Sequence, residues 1–266
     1  VNKLISQKTI YAFYTLVDAG RLGYSSFRIH VRLKNVSNEV YSNFARVLFS
    51  DYPTFWVAFV SGSFDLIADI FAKNPNDFEN ILLNIIKRNK DIIKSYETFT
   101  ILEMDLYDYG YFLEKKEIRR KISMHKNIEA IKIDAVNQRI LNSIKNNSRM
   151  SYETIGKNVG LTRNAVKNRI LSLEEKKVIL GYTSFVNFHQ FGKQSFKIFI
   201  KYNNSEIEHE KELLDYLKND IGVLATLKIL GRWNLDIEVH VNDVKELQKF
   251  IMNIRNRFVI IEDYEF

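Results

Sequence analysis

A long internal repeat limits the folds that this chain of 266 residues can adopt. Gly23 and Gly192 lie 169 positions apart, and the same interval separates Gly62 from Gly231 (192 − 23 = 231 − 62). The same interval separates Phe27 from Phe196, Ile29 from Ile198 and Phe64 from Trp233. Similarity at a fixed interval is the signature of a duplicated structural unit. The sequence therefore predicts two copies of one domain.

Each copy has the pattern of an α+β sandwich. The first long strand-like run alternates, with Phe27, Ile29 and Val31 on one face and Ser26, Arg28, His30 and Arg32 on the other. Further segments follow in the order β-α-β-β-α-β, and the same order returns between Gln194 and Phe266. This order predicts a ferredoxin-like fold, in which two helices cover one face of an antiparallel sheet.

The segment from Ile133 to Tyr182 separates the two copies and predicts three short helices followed by a strand. Ser151 and Thr162 are suited to cap the second and third helices through their hydroxyl groups. Small Gly156 and Gly160, followed by apolar Val166, have the spacing that two helices need to cross closely around a tight turn. The segment therefore predicts a helix-turn-helix.

The outward face of the third helix predicts DNA binding. This face carries Thr162, Arg163, Asn164, Lys167 and Asn168, and the helix has no acidic residue before Leu173. A helix that enters the major groove needs amide or guanidinium donors for base edges and cations for phosphates. A helical hairpin with a solvated basic face is the alternative.

Charge and composition favour the same partner. The formal net charge of +7 favours a polyanion, and Arg149, Ser151 and Tyr152 at the start of the second helix are the expected phosphate contacts. The chain has no cysteine, and its histidines lack the i, i+4 spacing of a metal-binding helix, so neither a metal nor a cofactor is predicted. No apolar run is long enough to span a bilayer, and a cytoplasmic location is predicted.

The helix-turn-helix segment resembles the winged helix-turn-helix of Lrp/AsnC-type regulators. The matching residues are Asp134, Arg139-Ile140-Leu141, Gly160-Leu161-Thr162, Arg169, Leu173-Glu174 and Ile179-Leu180-Gly181-Tyr182. From Gln194 onward the chain resembles the ligand-sensing RAM domain of that family. The resemblance implies a sequence-specific transcription regulator that binds double-stranded DNA and forms a homodimer or higher oligomer. RAM domains of the family pair sheet to sheet, so the two copies are expected to pack against each other within this chain.

The resemblance also implies an amino acid or similar small metabolite as effector. The family binds it near the turn between the second and third RAM strands, where an acidic residue follows a glycine by three positions. The first copy matches with Gly62 and Asp65. The second copy departs from this pattern, because the residue three positions after Gly231 is Asn234, and Asp236 lies two positions further on. Plain hairpin turns at both glycines are the structural alternative.

An enzyme is the weaker hypothesis. The sequence contains neither the glycine-rich nucleotide-binding motifs nor the nucleophile-elbow motif, so we predict no catalytic residues. Siroheme decarboxylases resemble this plan of winged helix and ferredoxin-like domain, and they depend on His and Arg in central strands. The strands compared here hold Arg232 and His240 alone. A ligand-binding or assembly module without DNA affinity is a third hypothesis.

These observations predict a division of the chain. RAM-like copies occupy residues 18–104 and 188–266, the winged helix-turn-helix occupies 133–187, and 105–132 form a linker. The aromatic run Tyr107–Phe112 is expected to pair as an extra strand or pack on the sheet, and Glu114–Lys121 to form a solvated helix. Phosphate contacts by Arg119, Arg120 and Lys121 are the alternative for that charged run. Residues 1–17 align with the end of the third helix and its following strand, which predicts the remnant of a first helix-turn-helix. A simple N-terminal helix is the alternative.

Overall fold

The computed structural model describes residues 1–35, 37–112, 119–124 and 129–266. The first half of the chain contains α1 (Asn2–Ser6), β1 (Ile10–Val17), β2 (Ser25–Leu33), α2 (Asn38–Asp51), β3 (Thr54–Phe59), β4 (Leu66–Ala72), α3 (Pro75–Arg88) and β5 (Ile93–Tyr107). The middle contains β6 (Lys121–Met124), α4 (Ala135–Ile144), α5 (Tyr152–Val159), α6 (Arg163–Glu175) and β7 (Ile179–Val186). The second half contains β8 (Gln194–Tyr202), α7 (Glu210–Asn219), β9 (Val223–Leu230), β10 (Leu235–Val241), α8 (Val244–Arg257) and β11 (Ile261–Glu265). None of these helices is long and apolar enough to cross a membrane.

The described strands confirm the α+β prediction. One sheet runs β11-β8-β10-β9-β5-β2-β4-β3, with β6 also paired to β5, and all of its pairings are antiparallel. Its two halves have the same internal order, β5-β2-β4-β3 and β11-β8-β10-β9, as the repeat predicts. The halves join where β5 pairs with β9, from Thr100 opposite Leu230 to Leu106 opposite Ala225.

Each copy buries one face of its sheet under its own helices. In the first copy, Phe27, Ile29 and Val31 pack with α2 and α3 residues such as Phe44 and Ile85. In the second copy, Ile198 and Ile200 lie in the equivalent core, with Phe196 packed against it. The apolar rows predicted from the alternation are therefore the rows that face the helices.

The opposite faces of the two halves pack against each other. This intersheet core contains Ile67 and Phe99 from the first copy and Phe199, Leu227 and Trp233 from the second. Packing of the two copies within one chain, predicted from the family resemblance, is thus observed. Its consequence is that the polar row of β2 is covered by protein, with Arg28 and His30 almost completely buried.

The repeat extends into the N-terminal segment. Lys8 and Lys177 occupy equivalent positions (177 − 8 = 169) and both adopt left-handed φ values, 54° and 57°. The Thr9 amide donates to the Leu4 carbonyl, as the Val178 amide does to Leu173. These segments continue into β1 and β7, which pair with each other antiparallel as a two-stranded ribbon.

The region after β5 departs from the prediction. β5 continues to Tyr107, and Gly110–Phe112 form a short 3-10 turn. The predicted solvated helix is wrong for the end of the charged run, because Lys121 begins β6; residues 114–118 lie outside the described residues. Arg119 is buried and donates hydrogen bonds to the Val223 carbonyl at 2.8 Å and the Asp108 carbonyl at 2.6 Å, so it cannot contact phosphate.

Candidate nucleic-acid interface

The three helices α4, α5 and α6 form a small independent core. Ile140, Ile155, Val166 and Leu173 are almost completely buried in it. Polar side chains cap each helix at its start: Asp134 accepts from the Asn137 amide, Ser151 from Thr154 and Thr162 from Ala165. Such caps satisfy backbone amides that the helix itself leaves free.

The turn between α5 and α6 requires its two glycines. Gly160 has a φ of +74°, a left-handed conformation that side chains with a Cβ rarely adopt. A Cβ on Gly156 would lie 2.4 Å from the Leu161 carbonyl oxygen, so the chain can turn this closely only because no side chain is present. The spacing that identified the helix-turn-helix in the sequence therefore has a direct steric cause.

The predicted reading face of α6 is open to solvent. Thr162, Arg163, Asn164, Lys167 and Asn168 are all exposed, while Val166 and Ile170 on the opposite face are buried. The Arg163 Nη1 atom lies 3.8 Å from the Glu153 Oε1 atom, and both side chains are well exposed. An exposed pair of this kind contributes little energy, so the guanidinium remains available to a ligand.

The loop between α4 and α5 is supported by β1. The Ser148 amide donates to the Phe13 carbonyl, and the Thr15 hydroxyl donates to the Ile144 carbonyl at 2.8 Å. The Arg149 guanidinium lies 5.0 Å from the centre of the Phe13 ring, within cation–π distance. Sequence reasoning did not find this support, because nothing in the sequence pairs β1 with the helix-turn-helix.

Two further predicted contacts lie beside that loop. Ser151 is exposed and Tyr152 is half-buried at the start of α5, close in sequence to Arg149.

Arg169 has a structural role: its Nη1 atom lies 2.6 Å from the Asp134 Oδ2 atom, and this hydrogen bond lowers the pKa of Asp134. Arg169 therefore ties α6 to the start of α4.

Of the two predicted ligand residues of the first copy, Asp65 lines a cleft of about 450 Å³. It is lined by Arg32, Leu33, Lys34, Asn35, Asn38, Tyr41, Asp65 and Lys94. The Asp65 carboxylate accepts a hydrogen bond from the Leu33 amide at 2.8 Å and lies 3.6 Å from the Arg32 Nε atom. Arg32 also donates to the Gly62 carbonyl at 2.5 Å. Gly62 and Asp65 are thus brought together, and the Asp65 carboxylate already has partners.

The corresponding residues of the second copy lie in a different environment. A Cβ on Gly231 would lie 2.6 Å from a ring carbon of Phe99, so this turn packs on the first copy. The Asn234 side chain accepts a hydrogen bond from the Tyr202 amide at 2.9 Å. Asp236 is completely buried and forms an ion pair with Arg28, and it is therefore closed to solvent.

A buried ion cluster crosses the intersheet core. Arg28 binds Asp69 through two hydrogen bonds of 2.6 and 2.8 Å, and it also contacts Asp236 of the second copy. The Lys197 Nζ atom lies 3.5 Å from Asp236 and 3.1 Å from Glu238. The interval of 169 relates Arg28 to Lys197 and Asp69 to Glu238, so the two copies contribute a cation and a carboxylate at equivalent positions, and the second copy adds Asp236. The alternation of apolar and polar residues along β2 placed Arg28 on the polar face of the strand, but it could not show which part of the protein covers that face.

Histidines lie at the edges of this cluster. His30 is enclosed by the rings of Phe64, Phe99 and Phe199, with centroid distances of 4.6 to 4.9 Å, and neither ring nitrogen has a hydrogen-bond partner among the described residues. Burial and the nearby cations Arg28 and Lys197 lower the pKa of His30 to about 2, so its ring is neutral. His240 accepts or donates a 2.8 Å hydrogen bond through Nδ1 with the Tyr111 hydroxyl.

Metal-ligand side chains converge at one partly exposed position among the described residues. Ligand atoms of Glu206, Glu208 and His209 lie within 4.8 Å of one another. His209 also lies 3.4 Å from Glu212 along the same helix. Acidic side chains at the protein surface commonly have this arrangement without an ion, so we assign no metal site to this cluster.

Comparisons with known proteins agree with the geometry of the helix-turn-helix. The AsnC-type helix-turn-helix domain matches residues 133–174. An uncharacterized HTH-type transcriptional regulator of Pyrococcus abyssi is 30% identical over 128 residues, which are 48% of this chain and 83% of that protein. The HTH-type transcriptional regulator Ptr1 of Methanocaldococcus jannaschii is 27% identical over 120 residues, 45% of this chain and 79% of that protein.

Solved structures of a siroheme decarboxylase resemble nearly the whole chain. The siroheme decarboxylase NirDL superposes with a TM-score of 0.65 over 99% of this chain and 77% of that protein. The two sequences are 14% identical, so the likeness shows a shared fold. A shared fold does not show a shared activity, so the function of this chain is inferred from its own residues.

Proposed function

This chain belongs to the Lrp/AsnC family of helix-turn-helix regulators, and from that premise we propose that it binds specific sequences of double-stranded DNA to regulate transcription. The observation that carries the proposal is the exposed polar and basic face of α6 on a helix whose other face is buried. The net charge of +7 favours the same partner. Binding to chromosomal DNA would place the chain in the cytoplasm of an archaeal or bacterial cell.

In this proposal α6 lies in the major groove. Arg163 and Lys167 contact bases or phosphates, and Asn164 and Asn168 supply amide groups for base edges. The Thr162 hydroxyl caps the helix at the end that meets the DNA. Arg149, Ser151 and Tyr152 contact phosphates on the neighbouring backbone, which fixes the orientation of α6 without reading sequence.

The alanine double variant Arg163→Ala/Lys167→Ala tests this assignment. Each lost base-reading arginine should cost about 1–3 kcal/mol, and each lost phosphate contact should lower the slope of log affinity against log salt by about 1. Fluorescence anisotropy at several salt concentrations measures both quantities. Lys245→Ala/Lys249→Ala is the matched control, because it removes two exposed cations with the same spacing from α8.

The outcome discriminates between the regulator and an assembly module without DNA affinity. Equal affinity and equal salt slope for the α6 variant and the α8 control would show that α6 does not contact DNA. No salt-dependent retention of the unaltered chain on DNA would favour the assembly module instead.

We also propose that the cleft beside Gly62 and Asp65 binds the effector, and that the effector carries an acidic group. The Asp65 carboxylate is held by the Leu33 amide and by Arg32, so it is a poor partner for an ammonium group. Arg32 is engaged with Asp65, but the cleft also presents the cations of Lys34 and Lys94. An acidic amino acid or dicarboxylate therefore fits better than a neutral or basic amino acid.

Calorimetry against the common amino acids and small dicarboxylates measures this preference. We expect heat of binding for acidic ligands, and Lys94→Gln should weaken that binding by about tenfold, or roughly 1.4 kcal/mol. Lys87→Gln, an exposed change on α3, is the control. No heat with any ligand would remove the effector from the account, and stronger binding of lysine than of glutamate would reverse the predicted charge.

We propose further that the chain is not an enzyme. The central strand β2 carries Arg28 and His30, the residue types expected of a siroheme decarboxylase, and sequence reasoning did not consider them for that role. Arg28 is held by Asp69 and Asp236, and His30 is packed between phenylalanine rings. A bound tetrapyrrole would have to separate the two halves of the sheet at this point. A visible absorption change on adding an iron tetrapyrrole, lost in His30→Phe, would favour the enzyme.

A further inference from the structure

The positions that line the cleft of the first copy can be located in the second copy. Seven of the eight lining residues lie in segments that the interval of 169 aligns without a gap. The same hydrogen bond is present at both places: the Leu33 amide donates to Asp65 at 2.8 Å, and the Tyr202 amide donates to Asn234 at 2.9 Å. The backbone around the cleft is therefore repeated in the second copy.

The pairing of the strands locates the eighth lining residue, Lys94. β5 pairs with β2 through the residues on both sides of Lys94, and Lys94 itself is the extra residue of a bulge. β11 pairs with β8 in the same way around Glu262. Both side chains are exposed. Glu262 is therefore the structural counterpart of Lys94, and it has the opposite charge.

The two sets of lining residues differ in formal charge. The first cleft has three cations and one carboxylate among its lining residues, a charge of +2 (3 − 1). The equivalent positions of the second copy have one cation and two carboxylates, a charge of −1 (1 − 2). They are occupied by Lys201, Tyr202, Asn203, Asn204, Ile207, Glu210, Asn234 and Glu262. An acidic ligand is attracted by the first set of charges and repelled by the second.

The charges of the second copy also have partners within the protein. Lys201 lies directly opposite Asp263 in the pairing of β8 with β11, and opposite charges in such a position attract each other. Glu210, which replaces Tyr41, accepts a hydrogen bond from the Lys228 ammonium group at 2.7 Å. The cation that remains at this position is thus opposed by a carboxylate of the same sheet, and a second carboxylate lies beside it.

We propose that each chain binds one acidic effector molecule, in the first copy alone. The inference rests on the proposed effector site, and it adds which copy holds the ligand and how many molecules bind. Two equivalent copies of a sensing domain would bind two molecules per chain. In this chain the bulge residue, Lys94 in one copy and Glu262 in the other, separates the copy that binds an acid from the copy that repels it.

Calorimetry with glutamate as the probe tests the proposal through the number of bound molecules, which should be one per chain. Lys94→Glu gives the first copy the bulge charge of the second. It should weaken binding about a hundredfold, because it changes the charge by two units where Lys94→Gln changes it by one. Glu262→Gln is the matched control at the equivalent bulge, and it should leave both the affinity and the number of bound molecules unchanged.

Hydrogen exchange of the unaltered chain gives a second measurement that needs no variant. Glutamate should slow exchange of the amides of Lys34 and Lys94, and exchange at Asn203 and Glu262 should stay the same. Two molecules per chain, slowed exchange in both copies, or weaker binding in Glu262→Gln would overturn this inference and leave an effector in place. No heat with glutamate or any other acidic ligand would overturn the effector proposal itself, and this inference with it.

Discussion

Replacing Arg28 with methionine should lower the free energy of unfolding by about 3–5 kcal/mol, the usual cost of removing one partner from a buried ion pair. The change leaves the Asp69 and Asp236 carboxylates without their shared cation in a site that is closed to water. Chemical denaturation measures the difference. Arg88→Met is the control: Arg88 is exposed and lies 3.6 Å from Asp51, so its loss should cost less than about 1 kcal/mol.

A compensated variant separates loss of charge balance from loss of packing. Arg28→Met combined with Asp69→Leu and Asp236→Ile removes the carboxylates together with their cation, and isoleucine follows the counterpart of Asp236 at Ile67. Apolar replacement of a buried ion triad is often neutral, and Lys197 keeps Glu238 as its partner, so much of the lost stability should return. A single variant as stable as the Arg88→Met control would show that the cluster does not join the two copies.

Replacing His30 with phenylalanine should remove much of the acid sensitivity of the fold. The folded pKa of His30, about 2, lies below its usual value of 6.5, so the folded state binds fewer protons than the unfolded state between these values. Stability from this group is therefore complete above about pH 6.5 and falls as the pH falls. From about pH 7 to about pH 5, the unaltered chain should lose about 2 kcal/mol more than the variant.

Phenylalanine is the natural substitution, because Phe199 occupies the equivalent position of the second copy (199 − 30 = 169). At neutral pH the variant should be at least as stable, since it removes two ring nitrogens that have no partner among the described residues. His209→Gln, at a half-buried site outside the intersheet core, is the control. Parallel stability curves for the unaltered chain and His30→Phe would show that His30 titrates normally.

Local rules were sufficient to predict the helix-turn-helix. Its caps, its two turn glycines and its buried stripe each have a short-range cause that can be recognised in a single segment. Gly160 needs a left-handed φ and Gly156 needs to lack a Cβ, and both requirements favour glycine, which is visible in the sequence. The repeat interval predicted the duplicated fold for a similar reason, because residues at equivalent positions have the same structural roles in both copies.

Long-range packing explains what could not be predicted. Alternation places Arg28 and His30 on one face of β2, but it cannot show that the other half of the sheet covers that face. The same limit applies to Asp236, which was selected as a ligand residue and is buried against Arg28. Arg119 lies in a charged run that suggested solvent, yet its guanidinium is bound by backbone carbonyls from residues 99 to 104 positions away. These contacts depend on the pairing of distant segments.

Selection of duplexes from a random pool measures whether α6 reads DNA sequence. The unaltered chain should enrich one sequence motif. Arg163→Ala should relax the preference at one position of that motif, whereas Lys245→Ala/Lys249→Ala should leave it unchanged. A pool that stays as random as its input, or a motif that is identical for the unaltered chain and Arg163→Ala, would contradict the claim.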